Sequence, residues 1–321
     1  MFPRLDRPSR LRQRSPFRWA ALVGVLLVTL GVLAVASDAL GAGRLFDRAV
    51  AKVDRIIAGP VPDRPTVVTV LVTPRPASVA PSAARAASAL PSSNASTSPT
   101  GGPTPEPTPE PTPSRVPIDV NIAKDPASIF ASEAKDTWCS AAGVQITLAF
   151  LGKADTSVGF QRELQGRVHE WESYSDSHNG DWGPAAMALA LDAYGAPGYQ
   201  VRAYKTRQDA LLDAATAIES TGSPVVLLAW RGAHTWVMTG FRADADPVIF
   251  PDAAIAGAYI VDPWYPRISS IWGPSDPPGT FQDRAEMVRN YLVWKRPEGH
   301  YPDRDGLFIA VVPTVKVGPG G

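Results

Sequence analysis

The chain carries a single thiol, Cys139, and four histidines, His169, His178, His234 and His300. One thiol excludes an internal disulfide, and so few thiols and imidazoles leave no zinc site of ordinary ligand spacing, so neither metal nor cofactor is expected. What remains is nucleophilic chemistry, in which an imidazole takes the proton of the thiol and an acidic side chain holds the imidazole. His234 is the candidate base, because it opens the apolar run HTWVMTGF straight after a turn, where a strand fixes the ring while its edge stays open to a cleft. His169 and His178 fall in the polar stretch RVHEWESYSDSHNG, which reads as a loop or a solvated helix face, and His300 falls in the Pro- and Gly-rich RPEGHYPDRDG. Asp262 ends the next apolar run, YIVDPW, and is the candidate to orient His234. Blander readings stand beside each: free cysteines are commonly small core residues, strand-end histidines are commonly surface donors, and Asp-Pro starts turns.

These residues need a scaffold. Val144, Thr147, Leu148 and Leu151 recur at helical spacing before Gly152, which predicts a helix with Cys139 in its first turn and Asp136 or Thr137 as its cap. A helix N-terminus favours a thiolate, and its free amides can stabilise an oxyanion next to the sulfur. Further helices are predicted from Pro184 through Met187, Leu191 and Tyr194 to Gly195, and around Leu211, Ala214, Ala215 and Ile218. Pro224 to Trp230 and His234 to Ala243 read as a β-hairpin around Arg231-Gly232-Ala233, with further strands at Ala258 to Val261 and Gly306 to Val312. Helices first and an antiparallel sheet later make an α+β domain.

Composition bounds the rest of the 321 residues. Residues 1–18 hold six arginines against Asp6, whereas residues 117–321 hold 17 basic against 24 acidic side chains. The acidic balance of the folded part excludes a nucleic-acid role, which needs a basic face. Residues 19–37, WAALVGVLLVTLGVLAVAS, are uncharged and long enough to span a bilayer, so a transmembrane signal anchor is expected, with 1–18 cytoplasmic and the C-terminal domain extracytoplasmic at the cell membrane. A cleaved signal peptide is the alternative, since Ala34-Val35-Ala36 resembles a cleavage site. Residues 38–73 form a juxtamembrane segment, with helical spacing over 44–58. Residues 74–116 carry eleven prolines and no aromatic residue, the composition of a disordered, extended spacer, and Asn94-Ala95-Ser96 within them matches a glycosylation sequon. The folded domain is expected over 117–315, followed by a flexible tail at 316–321. Eight of the nine tryptophans lie beyond residue 117.

Three blocks in order carry a resemblance: TWCSAA at 137–142, GAHTWVMTGF at 232–241 and VDPWY at 261–265. Together with GDWG at 180–183 and TGSPVV at 221–226, they resemble the papain-fold cysteine peptidases related to bacteriocin-processing double-glycine peptidases, over roughly residues 117 to 315. The resemblance implies a papain-like fold with the cysteine on a helix of the N-terminal part and an antiparallel sheet in the C-terminal part. It also implies a Cys139-His234-Asp262 triad cleaving a peptide or amide bond. In that family a glutamine about six residues before the cysteine supplies the oxyanion hole, and Glu133 stands there. A carboxylate would repel the oxyanion, so Glu133 must be protonated, displaced or replaced as donor, with Asn121 and Gln145 as substitutes.

Three functions follow. The first is a membrane-anchored thiol hydrolase acting on a peptide, a protein or a cell-envelope polymer. The second is a papain-fold binding module without turnover, recognising a peptide or surface polymer through a rim of Trp171, Trp182 and Trp264, with Glu133 as its best support. The third, a cell-wall amidase of Cys-His-His type, lacks the Asp-Cys-Ser entry and the second catalytic histidine.

Overall fold

The computed structural model describes residues 25–33, 68–71, 113–178, 180–295 and 301–318. The chain divides into two units, Met1–Pro60 and Val61–Gly321. In the first, residues 25–33 of the apolar run are helical, with Val25, Leu27 and Val28 among its exposed side chains. Among the described residues no helix is long and apolar enough to cross a membrane. The remainder of 19–37, the helical spacing at 44–58, residues 74–112 of the spacer and the sequon lie outside the described residues.

The second unit is built on a mixed sheet. Its strands are β1 (Val68–Leu71), β2 (Ile118–Asn121), β3 (Tyr199–Tyr204), β4 (Val225–Ala229), β5 (His234–Ala243), β6 (Ile255–Val261), β9 (Thr280–Asp283) and β10 (Phe308–Pro313), and β7 (Ile268–Ser269) pairs only with β8 (Gly273–Pro274). The order across the sheet is β1-β3-β10-β4-β5-β6-β9, with β2 pairing the far half of β5, and every pair but β1–β3 is antiparallel. The sequence reading leaves residues 68–71 in a juxtamembrane segment, whereas they form an edge strand of the sheet.

The helices are α1 (Pro126–Ile129), α2 (Cys139–Phe150), α3 (Val158–Gly166), α4 (Pro184–Ala193), α5 (Arg207–Thr221) and α6 (Arg284–Asn290). They cover both faces of the sheet. Side chains alternate along β4, so Val226 and Leu228 pack with Val144 and Leu148 of α2 and Met187 and Leu191 of α4, while Val225 and Leu227 pack with Leu211 and Ile218 of α5. A strand apolar on both faces must be covered on both, and each such buried Leu or Ile contributes about 1.5–3 kcal/mol. The expected order of helices before strands is therefore corrected: β2 precedes every described helix of this unit, and β3 lies between α4 and α5. The mixture of helices with an antiparallel sheet holds, as do the three predicted helices and the hairpin. Gly152, Gly195 and Gly222 end α2, α4 and α5 with positive φ, the conformation glycine adopts without penalty.

A second correction concerns residues 169–178. Trp171, Glu172, Ser173, Asp176 and Ser177 are buried, not solvated. Arg304, fully buried, donates to the Asp176 carboxylate at 2.6 Å and to the Asp176 carbonyl at 2.9 Å, while the other carboxylate oxygen accepts from the Ala186 amide in the first turn of α4. A polar segment can enter the interior when every charge in it is paired in this way.

Candidate active site

Cys139 is the first residue of α2 and is half-buried. The cap position belongs to Trp138, and no side chain caps this terminus. The expected caps Asp136 and Thr137 thus lie before the cap position, and the Asp136 carboxylate accepts from Arg267 Nη1 at 2.9 Å. First-turn amides without a capping side chain keep their partial positive charge next to the sulfur.

The helix sets the sulfur against β5. Gly143, one turn beyond Cys139, lets α2 approach so closely that an added Cβ would overlap Thr235 Cγ2, and Ser140 Oγ lies 3.3 Å from Thr235 Oγ1. Thr235 follows His234 on β5. The ligating atoms of Cys139, His234 and Glu133 accordingly lie within 4.8 Å of one another, and the sulfur is 3.9 Å from the Ala233 carbonyl.

His234 Nε2 is 2.7 Å from Asp262 Oδ1, and that oxygen also accepts from the Trp264 amide at 2.8 Å. The carboxylate holds the proton on Nε2, which leaves Nδ1 to exchange a proton with the sulfur. Burial alone pushes the imidazole down, but the Asp262 carboxylate and its hydrogen bond, with Cys139 adding to them, lift it from 6.5 to about 10. The ring is boxed by aromatic walls: Trp230 stacks on it at 4.0 Å and 21°, Trp264 meets it edge-on at 6.3 Å, and Trp272 stacks behind Trp230 at 5.8 Å. Trp230 and Arg231 hold this turn in left-handed backbone, φ 51° and 62°, a strain of about 1–3 kcal/mol each that persists because Trp230 Nε1 is tied to Asn290 Oδ1.

Glu133 is buried within this group. Its Oε1 is 3.4 Å from Arg267 Nη1, and its Oε2 has no hydrogen-bond partner among the described residues. Burial raises its carboxyl from 4.5 to about 7, against the lowering charges of His234 and Arg267. The side chains of the two substitutes meet other partners. Gln145 Nε2 donates to the carbonyls of Asp155 and Ser157, and Asn121 Oδ1 accepts from the Ala123 amide and Thr239 Oγ1. His169 lies in a 3-10 turn at Val168–Glu170 and His178 lies beside Tyr174, so His234 is the described histidine grouped with Cys139, while His300 lies outside the described residues.

The three-tryptophan rim does not form. Trp171 and Trp182 pack on each other at 5.5 Å in the cluster of α3 and α4, and Trp264 alone stands at the site. Sequence reasoning misses Trp230, Trp272 and Arg267. The hairpin register contains the signal for Trp230, since Ala229 pairs with His234 and the next residue must lie beside the imidazole. Cys139, His234 and Glu133 could converge on a cation, but the Arg267 guanidinium and the helix terminus place positive charge there and favour an anion.

No family model matches the chain, and no curated protein matches it. Among solved structures, the chain is similar to a double glycine motif protease from an AMS/PCAT transporter, crystallised in complex with the leader peptide, at 18% identity and a TM-score of 0.30, over 58% of this chain and 91% of that one. At that score the likeness carries no weight beside the side-chain geometry.

Proposed function

We propose that the chain is a cysteine hydrolase that cleaves a peptide or amide bond. Support comes above all from one observation, the 2.7 Å bond between Asp262 and His234 beside the Cys139 sulfur at an uncapped helix terminus. His234 Nδ1 takes the thiol proton, and the thiolate adds to the carbonyl carbon. The negative charge passes to the carbonyl oxygen next to the free amides of α2. His234 then returns its proton to the leaving amine as the C–N bond breaks, giving a thioester. Water, deprotonated by the same nitrogen, hydrolyses the thioester and regenerates the thiol. The helical, exposed apolar residues 25–33 and the arginine-rich residues before them support an N-terminal membrane anchor and an extracytoplasmic domain.

A second reading, a binding module without turnover, is favoured by a carboxyl group standing beside the sulfur. Alkylation of Cys139 by iodoacetamide tests the thiol in the full chain. A rate that falls by about 10²-fold or more in His234→Ala is expected if His234 is the base, and an unchanged rate overturns the hydrolase.

A further inference from the structure

Three metal-ligating groups of different chemistry meet at the start of α2. Cys139 Sγ, a ring nitrogen of His234 and a carboxylate oxygen of Glu133 lie within 4.8 Å of one another. With bonds of about 2.3 Å to sulfur and about 2.0–2.2 Å to nitrogen and oxygen, the ligand atoms of a tetrahedral zinc stand roughly 3.4–3.6 Å apart. The three groups therefore close on such an ion by about 1.4 Å at most, a distance within the sweep of a Cys or Glu side-chain rotation.

Two separate features prepare these groups as ligands. His234 Nε2 is bonded to Asp262 Oδ1 at 2.7 Å, which orients the ring and leaves Nδ1 as the ligating atom. A carboxylate behind the imidazole is the usual support of a metal-bound histidine. Glu133 is 1% exposed, and its backbone is fixed by the Pro263 carbonyl, 2.9 Å from its amide, and by Arg267 Nη2, 2.7 Å from its carbonyl. Its Oε1 is turned to Arg267 at 3.4 Å, whereas Oε2 has no hydrogen-bond partner among the described residues. Buried polar atoms are almost always satisfied, so an orphaned oxygen grouped with a thiol and an imidazole marks the place of a ligand.

The surrounding charge selects the ion. Arg267 and the helix terminus favour anions here, and the anions at hand are the Cys139 thiolate and the Glu133 carboxylate, both of them metal ligands. Arg267 is also shared with Asp136 at 2.9 Å, closer than with Glu133. A hard cation such as Mg²⁺ or Ca²⁺ needs several oxygen ligands and finds one carboxylate beside a guanidinium. A thiolate with an imidazole suits Zn²⁺.

We propose that Cys139 Sγ, His234 Nδ1 and Glu133 Oε2 bind Zn²⁺, with a fourth position open on the side where Cys139 is half-exposed, and that the bound ion holds the thiol out of reaction. On binding, the protons held by the three groups pass to solvent, and the sulfur lone pair goes to the metal instead of to an electrophile. The zinc-bound form does not depend on the hydrolase reading, since a thiol that never turns over binds the ion as well.

Co²⁺ serves as the coloured probe: a thiolate on Co²⁺ gives a charge-transfer band in the near ultraviolet, and a tetrahedral centre gives an intense visible band. The metal-free full chain is titrated with Co²⁺ and then with Zn²⁺ for the wild type, Cys139→Ser, Glu133→Gln and Asp262→Asn. A single Co²⁺ per chain with both bands is expected, and Zn²⁺ should bleach them. Stoichiometric Zn²⁺ should stop alkylation of Cys139 by iodoacetamide and a chelator should restore it, whereas Mg²⁺ or Ca²⁺ should leave it unchanged. Zn²⁺ affinity should fall roughly 10- to 100-fold in Asp262→Asn, which loses only the support of the ring, and further in Glu133→Gln. A wild type without the thiolate band, a metal bound as tightly by Cys139→Ser, or a wild-type affinity in Glu133→Gln overturns the proposal. If Glu133→Gln does not fold, Glu133→Asp takes its place, and an unchanged affinity on that shorter arm has the same force. Metal-free alkylation indifferent to His234→Ala overturns the hydrolase reading and leaves the bands to decide the metal site.

Discussion

Gly143 and Thr235 are in such close contact that no side chain fits between them, so the helix bearing Cys139 and the strand bearing His234 are joined at a single glycine. Gly143 lies four positions after Cys139 and Thr235 directly follows His234, so a shift at the contact is carried to the thiol and the imidazole almost undiminished. A methyl group there must move α2 or tilt it. Gly143→Ala is expected to lower stability by about 1–3 kcal/mol in urea unfolding. It is also expected to slow His234-dependent alkylation of Cys139 by about tenfold or more, since a displacement near 1 Å costs that much or more in reactivity. A variant that loses stability but keeps the full alkylation rate shows that the contact does not position the thiol.

Replacement of Asp262 by Asn separates orientation from charge. The folded imidazole holds its proton to about 10, above its ordinary 6.5, through Asp262. Folding therefore takes up a proton in that interval, and the stability contributed by the pair is complete below about pH 6.5 and lost as pH rises through about 10. Unfolding free energies of wild type and Asp262→Asn should thus converge over that window. A gap that stays constant with pH would assign the effect to packing.

The sequence makes the Cys139–His234 grouping legible because both of its elements announce themselves locally. The helical period after Cys139 and the Arg-Gly-Ala turn before His234 need no distant partner to be recognised, and Asp262 follows from the end of one apolar strand. What escapes the sequence depends on pairing across the chain. YQVRAY at 199–204 is a strand because β10 and β1 pair it, and Asp176 is interior because Arg304 reaches it from more than a hundred positions away. The cap of α2 is misread because Asp136 prefers Arg267, a contact made by a loop after β6. Trp171 and Trp182 share a residue type with Trp264, yet a different packing cluster decides their place.

Burial of Glu133 makes a stability prediction independent of catalysis. An unfolded carboxyl releases its proton near 4.5 and the folded one near 7, so the folded state loses stability as pH rises between those values and is level above them. The loss is on the order of 3 kcal/mol at 1.36 kcal/mol per unit. Glu133→Gln removes the titrating group, and its unfolding free energy should show no such step. A wild-type profile with no step between pH 4.5 and 7 would place the carboxyl in contact with solvent.

The Arg304–Asp176 pair is buried at both ends and holds the 171–178 segment, the start of α4 and the rings of Trp294 and Tyr301 together. Arg304→Met keeps much of the side-chain volume but leaves the Asp176 carboxylate buried without its cation. The expected cost is about 3–5 kcal/mol, read from denaturant unfolding. Replacing both partners by apolar residues should recover much of it, because the isolated charge and not the missing attraction is what destabilises. If the single variant costs less than about 1 kcal/mol, the segment is wetter than its burial implies.

Trp230 joins the strained turn to the imidazole it covers. Its ring lies 4.0 Å from that of His234 and keeps water from the Asp262 hydrogen bond, while its own backbone sits at φ 51°. Trp230→Ala removes the ring and leaves the strain, so a loss of about 3–5 kcal/mol is expected in unfolding. The exposed imidazole should then also titrate at a different pH, because burial, which pushes it down, and the bond to Asp262, which lifts it, are both weakened by water. Trp230→Phe keeps a ring over the imidazole but loses the bond to Asn290 and one ring of packing, so it should cost more than the about 0.5–1.5 kcal/mol of the bond and less than Trp230→Ala. Titration of His234 by NMR in the three proteins decides the matter: an Ala variant titrating like the wild type would mean that Trp230 supports the turn without shielding the His234–Asp262 pair.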